Sequence, residues 1–144
     1  MKPVTIEWIE KAEMDFASAL REMRVRSQPN FDLTCFLAQQ CIEKYLKARL
    51  QEASIRFDKT HDLCALLTQL APVEPLWSIY QSSLSPLSAY AVVFRYPGRT
   101  GTRTQAAEAI KQARKMRQVV RDALGLQTKT KRRTVRKRGK KRRS

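Results

Sequence analysis

The stretch Phe31 to Glu52, FDLTCFLAQQCIEKYLKARLQE, decides the fold. It predicts a helix of about six turns at 3.6 residues per turn. Ala38, Cys41, Ile42, Tyr45 and Ala48 recur at three- and four-residue steps. Leu46 and Leu50 widen that stripe, and Phe36 and Leu37 extend it upstream. An apolar arc this wide calls for neighbours on more than one side. A narrow polar stripe of Gln40, Glu43, Lys44 and Lys47 runs against it, and no Gly or Pro interrupts the stretch. It reads as the central helix of an all-α domain, with the rest of the chain packed around it.

Working outward, Thr5 to about Arg24 predicts a first helix with Ile9, Ala12, Phe16, Ala19, Leu20 and Met23 on one face. Thr5 is placed as its cap and Glu7 in its first turn, where the helix dipole favours an acid. Trp8 lies at the edge of that face. The link from Val25 to Asn30 is short, which makes the central helix an antiparallel neighbour. Downstream, Ala53 to Lys59 reads as a loop carrying Arg56. Thr60 is placed as the cap of a third helix, with Asp62 in its first turn and Leu63, Leu66, Leu67 and Leu70 facing the core. Pro75 suits the start of the next helix. Pro86 is expected to kink or restart it, with Ser85 capping the new segment. Arg95 to Gly101, RYPGRTG, is a loop by its Pro and Gly. The last helix runs from about Thr104 to Leu124, with Ala106, Ala109, Ile110, Ala113, Arg117 and Val120 on one face. Lys111, Arg114, Lys115 and Arg121 give it a basic flank, and Gly125 suits its end. The expected architecture is an up-and-down bundle of four to five helices over residues 1–126, followed by a disordered basic C-terminal tail over 127–144.

The formal net charge is +16, but residues 129–144 hold eleven Lys and Arg and no acid, which leaves 18 basic against 13 acidic residues before them. The domain itself is therefore only mildly basic. Cys35, Cys41 and Cys64 form an odd set without a CxxC pair, and two of them fall in the apolar central helix. They read as reduced thiols of a cytoplasmic protein rather than as a disulfide framework or a zinc site. Ala89 to Phe94, the longest uncharged apolar run, is far too short to span a bilayer. The N-terminal MKPVTIEWIE carries acids where a signal peptide needs an apolar core. No metal-ligand cluster, Gly-rich phosphate loop or GxSxG is present, and no cofactor is expected.

Four places in this order resemble the HEPN domain family (higher eukaryotes and prokaryotes nucleotide-binding). They are Trp8 with Ala12 and Asp15; Ala38-Gln39-Gln40 followed by Glu43, Lys44 and Lys47; His61-Asp62-Leu63 with Leu66 and Leu67; and Arg95-Tyr96-Pro97. Together they cover roughly residues 5 to 124, and the tail lies outside the pattern. The resemblance implies an α-helical up-and-down bundle that commonly forms a homodimer. It also implies a minimal nucleotidyltransferase as a partner, in a two-component, toxin–antitoxin-like pair. Many such domains are metal-independent ribonucleases with an Arg-x(4–6)-His motif; others serve as binding or assembly modules.

Arg56 and His61 fit that motif by form. His61 is the only histidine in the chain. An imidazole can move the 2′-hydroxyl proton of RNA near neutral pH. A guanidinium can face the phosphate as charge builds. The motif departs from the ribonuclease pattern in its place between the second and third helices and in Phe57, which follows Arg56. The plain alternative is that His61 helps begin the third helix and packs near Asp62. Gln40, Glu43, Lys44 and Lys47 are candidates for a groove that binds a nucleotide or a partner; the alternative is a solvated face with a Glu43–Lys47 pair. Arg95 and Tyr96 are candidates for contact with a phosphate or a base, or else a loop docked on the bundle. Trp8 and Trp77 read as core. The cations of the tail, Lys129, Lys131, Arg132, Arg133, Arg136, Lys137, Arg138, Lys140, Lys141, Arg142 and Arg143, form a handle for nucleic acid, with RNA expected. With no aromatic residue among them, that binding is expected to depend on salt and not on base sequence.

Overall fold

A computed structural model describes residues 1–127. The basic segment expected as an unfolded tail lies, from residue 128 on, outside the described residues. Five α-helices make up the fold: α1 (Pro3–Met23), α2 (Phe31–Glu52), α3 (Leu63–Leu70), α4 (Gln81–Ser88) and α5 (Arg103–Ala123). A 3₁₀ segment, Pro75–Tyr80, leads into α4, and two short 3₁₀ turns, Ala89–Ala91 and Val93–Arg95, follow it. No strand occurs among the described residues.

α2 is the hub, as its broad apolar arc requires. It packs against α1, α3, α4 and α5. Cys41, Ile42, Tyr45, Leu46, Ala48 and Leu50 are all fully buried along it. Burying one Leu or Ile side chain contributes about 1.5–3 kcal/mol, so this single helix anchors much of the core. α1 lies antiparallel beside it. The Lys2 amide donates to Glu52 at 3.0 Å, which ties the start of α1 to the end of α2. α5 closes the other side with Ala106, Ala109, Ala113, Met116 and Val120.

The helix ends differ from the sequence reading at α1 and α3. α1 begins two residues early, on Lys2 and Pro3, and Thr5 is buried inside the helix instead of capping it. Asp62, not Thr60, caps α3 by accepting from the amides of Cys64 and Ala65, while Thr60 accepts from the Asp62 amide. α5 starts on a capping box formed by Thr102 and Gln105. Pro86 does not restart a helix at Ser85: α4 runs through it from Gln81 to Ser88, and the change from 3₁₀ to α pattern comes earlier, at Gln81. Ser82 and Pro86 are both exposed, where water can take the bond that the proline cannot make. At the other end of the chain Gly125, at φ +75°, terminates α5 as expected. The Leu126 amide donates to the Arg121 carbonyl at 2.8 Å and the Gly125 amide to that of Asp122 at 3.1 Å, the paired pattern of a left-handed helix stop.

Candidate functional site

The polar stripe of α2 is not a solvated face. Glu43 is 4 % exposed and Lys47 is 7 % exposed. The reason lies in the loop that follows α2. It folds back so that Phe57 meets the edge of Trp8 at 6.1 Å between ring centroids. The Lys47 ammonium sits over both rings, 5.6 Å from Trp8 and 5.9 Å from Phe57. Aromatic faces attract such a cation once water is removed. Its charge is met by Glu43 at 2.8 Å, one turn back on the same helix.

Glu43 is the centre of this cluster. One carboxylate oxygen takes Lys47. The other accepts from the Gln39 amide at 3.1 Å and the Gln40 amide at 3.2 Å, and faces His61 Nδ1 at 2.9 Å. Burial pushes the Glu43 carboxyl upward, but hydrogen bonds from Lys47, His61 and Gln39 outweigh it and hold the acid below its ordinary value. An ionised carboxylate can only accept, so the His61 proton sits on Nδ1. Nε2 makes no hydrogen bond among the described residues, and the His61 side chain is 55 % exposed. Gln39, fully buried, also donates to the His61 carbonyl at 3.0 Å. The histidine is thus gripped at both its ring and its backbone.

Arg56 is not brought to His61. It is exposed, makes no side-chain hydrogen bond or ion pair among the described residues, and lines a separate cleft with Lys2, Gln51, Ser54, Ile55 and Phe57. Lys44 takes no part in the Glu43 cluster and pairs with Asp15 of α1 at 2.6 Å. Arg95 and Tyr96 stand apart from the Glu43 cluster, at the end of the last 3₁₀ turn; Tyr96 is exposed. The eleven cations of residues 129–143 lie outside the described residues.

The family model of the HEPN domain matches residues 5–123. The chain belongs to the HEPN domain family. No curated protein and no solved structure matches it. Membership points to a nucleotide- or RNA-directed role, of the binding or the ribonuclease kind. Two buried or bonded groups of the structure were not among the candidate site residues. Gln39, named above only within the Ala38-Gln39-Gln40 motif, is one: fully buried, it donates to both Glu43 and the His61 carbonyl. A second acid, Glu13, binds Arg117 through two bonds of 2.6 and 2.9 Å and accepts from the Tyr45 hydroxyl. Its signal was Arg117 itself, a cation on the apolar face of α5. No helix among the described residues is long and apolar enough to cross a membrane.

Proposed function

We propose that this HEPN domain is a small nucleotide- and RNA-binding module of the cytoplasm. It forms a homodimer and works with a minimal nucleotidyltransferase in a toxin–antitoxin-like pair. The observation that carries the reading is His61, presented half-exposed on a base of Glu43 and Gln39, while Arg56 is exposed and makes no hydrogen bond or ion pair with that cluster. Such a ring offers RNA a fixed hydrogen-bonding edge, while the neighbouring Lys47 is buried and paired with Glu43. The basic segment after residue 128 supplies a salt-dependent attraction for the phosphates.

A second reading is a metal-independent ribonuclease, favoured by the Glu43–His61 pair. A carboxylate on Nδ1 orients an imidazole and supports charge on it, leaving Nε2 to take the 2′-hydroxyl proton. Arg56 would then have to reach the phosphate by moving its loop or from a second copy of the chain. RNA binding and RNA cleavage, measured in excess chelator on wild type and His61→Ala, separate the two. Binding without cleavage supports the module. Cleavage lost in His61→Ala supports the nuclease. Neither binding nor cleavage, by a strict monomer that ignores the partner, rejects both.

A further inference from the structure

Phe36, Gln40, Glu43 and Lys47 follow one another on α2 at four-, three- and four-residue steps and share one face. Moving from Glu43 back to Phe36 covers about 10 Å of the helix axis. It leads from His61 to a second hollow, of about 320 Å³. Three rings, Phe36, Tyr90 and Phe94, line it, together with Asn30, Asp32 and Arg95. Tyr90 and Phe94 lean together, 5.1 Å apart at 32°. The Arg95 guanidinium lies over the Phe36 face at 5.7 Å.

The polar groups are set but unspent. Asp32 accepts the Gly101 amide through one carboxylate oxygen, and the other has no partner among the described residues. Asn30 uses its side-chain oxygen to cap α2, which leaves its amide nitrogen without a protein partner among them. Arg95 and Asp32 border the same cavity and form no ion pair. Flat apolar walls suit a flat ring. A free phosphate would meet Asp32, and an aliphatic chain would leave both charges without partners.

We propose that this hollow is a base pocket for one unpaired guanine nucleotide. The base stacks on Tyr90 and Phe94. Its N1–H and N2–H₂ edge donates to Asp32, O6 accepts from Asn30, and the phosphate meets Arg95. Adenine turns an acceptor toward Asp32 where guanine turns a donor, and cytosine is too small to reach both walls. The guanine comes from a free nucleotide or from an RNA strand whose next nucleotides pass His61. The strand version rests on the RNA-directed reading above; the pocket itself does not.

The test is calorimetric titration of the full chain with GMP, AMP, CMP and inorganic phosphate at physiological salt. GMP is expected to bind about tenfold more tightly than AMP or CMP, the discrimination of one good paired contact, and phosphate alone not to saturate. Asp32→Asn keeps an oxygen for the Gly101 amide and replaces the other by a donor. It is expected to erase the preference at an unchanged unfolding temperature. Arg95→Ala is expected to weaken GMP several-fold and leave guanosine unaffected. Equal affinities for the three nucleotides, or a preference that survives Asp32→Asn, would overturn the pocket. A uridine 12-mer and its single-guanine variant identify the source: tighter binding of the variant supports the strand, and equal binding beside a GMP preference supports the free nucleotide. RNA binding that survives His61→Ala with the GMP preference intact would place the failure in the His61 reading and not here.

Discussion

Two acid-centred clusters flank α2, and they differ in what lies at their open end. Glu13 joins α1 to α5 through Arg117 and to α2 through Tyr45. Arg121 completes the set, reaching the Tyr45 hydroxyl at 3.4 Å. Each group there ends on another helix, so the cluster works as a clamp. Glu43 has the same ingredients, an acid and a cation, in a drier setting. Its remaining oxygen, however, holds a ring that is half in solvent. Chemistry alone does not separate a clamp from a site; the exposure of the last member does.

The largest effect is expected at Glu43. Glu43→Ala leaves the Lys47 charge buried and alone, which costs about 3 kcal/mol, read as a lower urea midpoint. The pair Glu43→Leu with Lys47→Met is expected to recover most of that stability and still lose the His61-dependent RNA function. Recovery of both would show that Glu43 is only a scaffold. Glu13→Gln breaks charged hydrogen bonds at a less buried place, and its expected cost is about 2 kcal/mol, with RNA binding unchanged. A fall in RNA binding would erase the distinction between the two clusters.

The pH dependence follows from both acids. Burial raises the Glu13 carboxyl, but the bonds from Arg117 and Tyr45 outweigh it and bring it below the ordinary value of 4.5, and Glu43 is lowered likewise. An acid with a depressed folded value contributes stability that is present above its unfolded value. That stability is lost as pH falls through the folded value. Denaturation midpoints are therefore expected to be flat above about pH 5 and to drop below it, with a shallower drop in Glu13→Gln. The smallest effect is expected at Gly125. An alanine there must adopt the left-handed conformation, at about 1 kcal/mol. Because this stop holds the turn that carries Arg121, side-chain NMR signals of the Tyr45 ring are expected to broaden while those of His61 stay sharp.

The helical pattern carried most of the fold. The stripe from Ala38 to Leu50 marked α2 as central, and the leucines from Leu63 to Leu70 marked the core side of α3, because both follow a period that backbone geometry imposes. Gly125 announced the end of α5 for the same local reason. The candidate site was legible only in its members. Glu43, Lys47 and His61 were all named, yet nothing local says that Phe57 and Trp8 will close over Lys47. Arg56 and His61 are five residues apart in an irregular loop, where spacing fixes no mutual direction. Glu13 and Arg117 meet across 104 positions of chain, a pairing that no periodicity encodes.

Residue order thus settled which segments are helical, which faces are apolar and which residues carry charge, since these depend on neighbours a few positions away. The packing of the loop after α2 decided that Glu43 is buried, that His61 is held with a bare Nε2, and that Arg56 stands apart. Burial and hydrogen bonding depend on groups brought together from distant positions, and only the assembled bundle brings them together.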